Sequence, residues 1–460
     1  MSRPLPHEIA ERAVSGGVGR VAIVTVESGV NLRWASGTLT TNGAATTTST
    51  TVIAIEDVAA GQAFGTRSGT VLSLAEIDDL LEAAAAIASS SAAAEDAAAL
   101  PEAEVSPDWD APAVEASSQD FGALTQELGE LFHRGRADDI EHFGYAEFSN
   151  STCYLATSNG TRLRFALPAA RFEMTAKSHN RSRSTWVGQG GRSFDAIDVG
   201  SAEAMLRRQL AWQANTVELA PGRHPALLTP SAASDLFIDL LWSSIAREAH
   251  DGNSAFSKAG GGTRVGERLT AVPITMFSDP ADPDLGCAPF LVAPGSSVVT
   301  SVFDNGLPLH RTEWISNGTL AALLTTRHTA GLTGLANTPF VDNATLVHAD
   351  GRGSLEDVIA RTDDGVLLNS LWYIREVDPQ RMLLTGLTRD GAYQVRNGEV
   401  VGAVSNFRFN DSPVEMLARV TDAGSTVRTL PRELGDYFPR VAMPPLLVSD
   451  FNFSTVSQAS

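Results

Sequence analysis

Five Asn-Gly pairs punctuate this chain, at Asn42, Asn159, Asn305, Asn317 and Asn397. Both residues tolerate positive φ, as a type I′ turn requires. Asn-Gly between apolar or alternating runs therefore marks a two-residue hairpin and forces antiparallel pairing nearby. Around Asn397-Gly398 the arms are Tyr393–Arg396 and Glu399–Val404. Around Asn159-Gly160 they are Cys153-Tyr154-Leu155 and Arg162–Phe165. Asn305-Gly306 and Asn317-Gly318 predict two more hairpins. Asn42-Gly43 sits before the Thr- and Val-rich run Thr46–Ile55. With Val21–Val26 it predicts a meander of three or four antiparallel strands over residues 20–67.

Helical signals concentrate before residue 250. Ser73 and Glu76 form a capping box ahead of Leu74, Ile77, Leu80, Leu81, Ala84 and Ile87, spaced for one buried face. Phe121, Leu124, Leu128, Leu131 and Phe132 repeat that spacing, and Ala202–Gln213 presents Met205, Leu206, Leu210 and Trp212. Thr229 caps a helix with Pro230 at its first position, running through Leu236, Phe237, Leu240, Leu241 and Ile245. Residues 89–119, rich in Ala, Ser, Pro and acid, read as a poorly packed connector. Beyond residue 265 strands dominate, with one short helix at Leu355–Arg361 capped by Ser354. This order predicts an α+β chain. An N-terminal α/β domain of antiparallel strands and helices occupies residues 1–215. A β-rich C-terminal domain of hairpins, barrel-like or a sandwich, occupies residues 216–460. The 460 residues are enough for two or three domains, each with its own core.

Charge and cysteine content exclude several functions. The chain has 34 Lys+Arg against 54 Asp+Glu, a net of −20, which disfavours direct binding to nucleic-acid backbones. Ser68–His133 alone holds 14 Asp+Glu and no Lys or Arg, so the acidity is local. Two cysteines, Cys153 and Cys287, supply neither a disulfide framework nor a Cys-rich zinc site. No apolar run is long enough to span a membrane. The polar start Met1-Ser2-Arg3-Pro4 shows no secretory apolar region. The expectation is a cytoplasmic protein with no membrane partner.

Several chemical motifs are absent. Gly188-Gln189-Gly190-Gly191 and Gly260-Gly261-Gly262 lack the Gly-Lys-Ser/Thr ending, or the strand–loop–helix context, of a phosphate cradle. They read as flexible loops. No Gly-x-Ser-x-Gly elbow occurs. Nine histidines are scattered, and none is paired one turn apart. The nearest approach to a metallopeptidase helix is Glu248-Ala249-His250-Asp251, which has a single imidazole.

Asn406-Phe407-Arg408-Phe409-Asn410-Asp411-Ser412-Pro413 alternates like a strand with one buried face. It then stops at an Asx-type turn before a short helix at Val414–Leu417. This segment and several others stand in the order of one known family. They are Leu228–Ala233, Ser254-Ala255-Phe256 with Gly266-Glu267, Thr300–Pro308, Ile315–Leu320 and Met443–Val448. Together they resemble the TldD/PmbA family, whose members include peptidases, TldE-type chains and proteins labelled modulators of DNA gyrase. The resemblance covers residues 217–455 and implies a role in proteolysis of small or unfolded peptides. It places Asp304, Gly306, Asn317, Gly318, Arg408, Asn410, Ser412 and Pro413 at family-motif positions, structural or lining a groove. Arg408 has two readings, a contact for a peptide carboxylate or, more often for an exposed strand arginine, a solvated side chain.

Catalytic TldD-type members carry His-Glu-x-x-x-His on the helix that begins at the Leu228–Ala233 segment. An ungapped carry-over puts Ile238, Asp239 and Ser243 there. The family's metal-holding Cys-Gly segment also has no counterpart between Leu383 and Asn406. The resemblance therefore implies no catalytic or metal-binding residue and no cofactor in this chain. It implies instead a heterodimer with a zinc-bearing TldD-type subunit, acting on an extended peptide. Two alternatives stay open: a self-sufficient metallopeptidase built on Glu248, His250 and Asp251, and a non-hydrolytic peptide-binding or scaffold protein.

Overall fold

The computed structural model describes residues 4–457; Met1–Arg3, part of the polar start read above, lie outside them. The N-terminal part contains α1 (Pro6–Val14), β1 (Arg20–Ala35), β2 (Thr38–Val58), β3 (Gly61–Gly69), α2 (Ala75–Ser90), α3 (Gly122–Ala137), β4 (Ile140–Thr157), β5 (Arg162–Ser178), β6 (Arg183–Gly191) and α4 (Val199–Trp212). Its six strands form one antiparallel sheet in the order β3-β2-β1-β4-β5-β6.

Strand periodicity explains how this sheet is covered. Successive side chains point to opposite faces. Ala22, Val24, Val30, Leu32 and Trp34 of β1 face one way, and all four helices pack on that side. Val21 and Ile23 face the other way. There they join Ile53, Leu155 and Leu163 against Phe290, Val302 and Phe303 of the C-terminal part. Burial on both faces is why Val21–Val24 reads as a continuous apolar run rather than an alternating one.

The C-terminal part continues with β7 (Gly222–Leu228), α5 (Pro230–Trp242), α6 (Ala246–His250), β8 (Ile274–Ser278), β9 (Thr312–Ser316), β10 (Thr319–Leu320), α7 (Arg327–Thr333), β11 (Ala344–His348), α8 (Leu355–Arg361) and β12 (Asp364–Asp378). It ends with β13 (Leu383–Arg396), β14 (Glu399–Ala403), β15 (Phe407–Asp411), α9 (Pro413–Met416), β16 (Val420–Ala423), β17 (Val427–Thr429), β18 (Val441–Met443) and β19 (Leu446–Val456). One sheet runs β12-β7-β19-β15-β13-β14, and an added β12–β13 pairing closes its first five strands into a barrel-like ring. A second sheet runs β10-β9-β8-β11-β18-β17. Helix α5 packs against β12 and β7 of the first sheet and β18 and β17 of the second, so its apolar residues seat the main core. The α+β class and the barrel-like C-terminal sheet match the sequence reading. Among the described residues no helix is long and apolar enough to cross a membrane.

The hairpin signals divide. Asn317-Gly318 joins β9 to β10, and Asn397-Gly398 joins β13 to β14, with φ of 46° and 79° in the first and 50° and 79° in the second. Both are left-handed at both residues, as a type I′ turn demands. The turn at Asn159-Gly160 joins β4 to β5. Asn42-Gly43 is not a turn. It lies inside β2, with Gly43 opposite Asn31, and the β1–β2 turn is Ser36-Gly37 at φ 49° and 67°. Asn305-Gly306 is not a hairpin either. It follows a single 3₁₀ turn at Val302–Asp304, and the buried Asn305 side chain bonds the backbone of Ala293 and Val302.

Three other expectations change. The connector at 89–119 is irregular but well tied: Trp109 packs edge-on against Tyr154 and donates to Glu11, and the Tyr154 hydroxyl donates to the Ala111 carbonyl. Gly188–Gly191 is no loop; it ends β6, where a Cβ on Gly188 would sit 2.4 Å from the Trp186 ring. Met443–Val448 is not one closing strand. Pro444-Pro445 separates β18 from β19, which belong to different sheets.

Candidate functional site

Helix α5 is the helix to which the family resemblance assigns the metal motif. Thr229 caps it by accepting from the Ala232 amide at 3.2 Å, and its own hydroxyl donates to the Asn369 carbonyl at 2.7 Å. Pro230 at the first position costs no hydrogen bond there. Ile238 is fully buried in the core. Ser243 is the last, capping residue of the helix. A zinc clamp needs two imidazoles about a turn apart. These positions offer one alkyl group, one carboxylate and one hydroxyl, so the residues present do not fit zinc.

What α5 offers instead is two carboxylates with different tasks. Asp235 is fully buried and accepts backbone N–H bonds from Arg432 at 3.1 Å, Glu433 at 3.2 Å and Leu434 at 3.1 Å. Burial holds its pKa well above the usual carboxylate range despite these donors. Its task is to clamp residues 432–434 onto the helix. One turn later the half-buried Asp239 faces Glu433, Glu376 and Arg375. Burial first, then repulsion from Glu433 and Glu376, pushes its pKa up to about 7, against the pull of Arg375. Glu433 is held by the Ile374 amide at 2.9 Å and by Arg375 at 3.0 Å. It reaches them because β12 bulges at Tyr373, whose φ is 59°.

The Asp239 shift carries a pH prediction. Its folded pKa lies above the ordinary value of 3.8. The stability that neutral Asp239 contributes is therefore fully present below pH 4 and lost as pH rises to about 7. Asp239→Asn should gain on the wild type over that range, by about 1–3 kcal/mol once partial exposure is allowed for. Urea unfolding at the two ends of the range measures this; a pH-independent difference between the proteins would contradict it.

A cleft of about 560 Å³ opens where the sheet face carrying Phe143, Thr175 and Lys177 meets Leu387–Ala392 of β13. Arg432 closes one side. Its guanidinium lies 4.8 Å from the ring centroids of both Trp186 and Trp372 and bonds Asp390 at 3.2 Å. Below it, Asn369 donates to the carbonyls of Trp186 and Asp390, both at 2.9 Å, and joins the two parts of the chain. The clamp made by Asp235 thus fixes the segment that supplies Arg432 to this cleft.

The residues singled out from sequence lie elsewhere and are not gathered. Asp304 is buried and takes the Arg327 guanidinium at 2.6 Å and the Arg327 amide at 3.1 Å. Gly306, at φ 89°, packs near Thr161 and Leu163. Asn317 and Gly318 form the β9–β10 turn. Arg408 is an exposed residue of β15 whose side chain meets Thr385 at 3.4 Å. Asn410 lends its carbonyl to the Asn452 side chain at 3.0 Å. Ser412 caps α9 and donates to the Arg381 carbonyl, with Pro413 buried behind it. Glu248 and Asp251 line a separate groove of about 370 Å³ with Asp96 and His328, and Asp251 is bound by Arg247 at 2.8 Å. His250 ends α6 and is not part of that lining. Among the described residues no three His, Cys, Asp or Glu side chains form a metal-holding group. Cys153 and Cys287 are buried, and burial pushes both thiols up to about 12.

Sequence reasoning missed Asp235, Asp411, Lys177, Arg389 and Arg432. Asp235 and Asp411 carried one available signal: a lone acid within an otherwise apolar helix face or strand end needs a buried partner.

Comparison with known proteins fits this geometry. Residues 221–455 match the model of the PmbA/TldA metallopeptidase C-terminal domain. No curated protein sequence matches the chain. Among solved structures, TldE from Thermococcus kodakarensis is similar with a TM-score of 0.77 at 17% identity, over 95% of this chain and 96% of that one. A protein from Bacteroides thetaiotaomicron, described as a candidate modulator of DNA gyrase, gives 0.76 at 12% identity, over 98% of each chain. One from Thermotoga maritima, described likewise, gives 0.71 at 16% identity, over 94% of this chain and 95% of that one. At these identities the structural likeness establishes the fold. The family match spans more than half of the chain, which therefore belongs to the TldD/PmbA family.

Proposed function

We propose that this chain is a non-catalytic, TldE-like subunit that pairs with a zinc-bearing TldD-type peptidase and helps to hold an extended peptide. The observation that carries the reading is α5. A family domain is retained over residues 221–455, yet the helix positions of the metal motif hold Ile238, Asp239 and Ser243. Without imidazoles, these positions have no means of holding a Lewis acid or activating a water. A role in cleavage then has to come through another chain. The domain division at residue 215/216 belongs to the same reading, with the N-terminal sheet forming one wall of a peptide cleft.

Co-expression with a TldD-type subunit tests the pairing. The two chains should co-purify in equal amounts and elute together on size exclusion. Separate elution at micromolar concentrations would count against the pairing.

A further inference from the structure

We propose that the cleft between the N-terminal sheet and β13 binds the C-terminal carboxylate of an extended peptide, with Lys177 and Arg389 as its cationic contacts. This rests on the peptide-holding part of the reading above and not on the partner. The chain is acidic overall, with a net of −20 and only two lysines. Yet the cleft is lined by Lys177, Arg181, Arg389 and Arg432 against a single lining carboxylate, Asp390.

Two of these cations are already committed. Arg432 is stacked between Trp186 and Trp372, bonds Asp390 at 3.2 Å and lies 3.5 Å from Glu173. Arg181 binds both oxygens of Glu141, at 2.9 and 2.7 Å. The other two are held more loosely. Lys177 lies 5.8 Å from the Phe143 ring centroid and stands opposite Glu141 in the β4–β5 pairing, where its charge helps to lower that carboxylate's pKa, but it makes no close ion pair among the described residues. Arg389 lies 5.8 Å from the Trp372 ring centroid and 4.0 Å from the Asp390 carboxylate, which Arg432 holds more closely. Lys177 projects from β5 in the sheet and Arg389 from β13 in the barrel, so the two loosely held charges come from opposite walls.

The rest of the lining fits a peptide end. Phe143, Leu387, Ala392 and Val404 give apolar space beside the charges, and Thr175 and Ser182 add hydroxyls. A cavity of about 560 Å³ suits a short peptide end rather than a folded chain. An Arg and a Lys converging on one carboxylate form charge-assisted hydrogen bonds, and capture of a terminal carboxylate is a known mode of peptide recognition. Nucleic acid would meet the same cations only after approaching a strongly acidic molecule.

The test uses the full chain alone and fluorescence anisotropy. The probes are a labelled apolar pentapeptide with a free C-terminal carboxylate and the same peptide amidated. The free acid should bind at least about tenfold more tightly, and raising salt should narrow the gap. Lys177→Ala with Arg389→Ala should remove the preference while leaving the melting temperature near that of the wild type. Lys177→Gln with Arg389→Gln serves if the alanine variant is unstable. Equal binding of acid and amide by the wild type would overturn the proposal, as would a preference that survives in a folded double variant. Because no second chain is present, this result is independent of whether the TldD-type pairing holds.

Discussion

Asp235→Ala should lower the stability of the chain by about 2–4 kcal/mol. The substitution leaves the amides of Arg432, Glu433 and Leu434 without their shared acceptor. A buried donor left unpaired costs about 1–3 kcal/mol, and three of them would sum to more. Two effects reduce the total. The amides are only partly buried, so water reaches some of them, and the substitution also relieves a desolvated carboxylate whose pKa burial has raised. Asp235→Asn keeps one acceptor oxygen and should fall between the two proteins. The alanine variant should also lose affinity for a free-acid peptide, because the segment that carries Arg432 and closes one side of the cleft loses its backbone clamp. Chemical unfolding measures the first effect and anisotropy the second. A loss below about 0.5 kcal/mol would show that α5 does not clamp this segment.

Asp411→Ala should cost more, about 3–5 kcal/mol. Asp411 is 3% exposed and binds the Arg419 guanidinium through both oxygens. It also accepts from the Ser412 amide at 2.8 Å and the Asn452 amide at 3.2 Å. Burial raises its pKa above the ordinary carboxylate value, and Arg419 opposes that rise. Breaking one side of such a pair leaves a charge in a poorly solvated place, which is why the loss exceeds the net worth of the pair. Arg419→Ala should be similarly damaging. The double variant should lose clearly less than the sum of the singles, since it strands neither charge. Strict additivity in that cycle would mean that the two side chains do not act together in holding β15, α9 and β19.

These two carboxylates also mark what the sequence could not disclose. The hairpins at Asn317 and Asn397 were legible because a type I′ turn is a local demand on two adjacent residues. The caps at Thr229 and Ser354 were legible for the same reason, since each satisfies an amide three residues on. Asn42-Gly43 misled because Gly43 faces Asn31 within a long ribbon while Ser36-Gly37 supplies the turn. Nothing within a few residues of Asn42 records that choice. Asp235 and its amides are about two hundred residues apart in the chain, and Lys177 and Arg389 are further apart still. Their meeting depends on how the sheet settles against the barrel, which leaves no periodic trace. The α5 residues, by contrast, were readable directly, because an alkyl group at a position that the resemblance assigns to a ligand declares itself without any structure.

The central claim is that this chain contributes to peptide cleavage without performing it. The direct measurement is a titration of a fixed amount of zinc-loaded TldD-type subunit with this chain, following hydrolysis of an unstructured peptide. The account predicts no turnover by this chain alone, activity that rises with its addition, and a plateau at one chain per catalytic subunit. Full activity of the catalytic subunit without this chain would contradict it, and so would hydrolysis by this chain by itself.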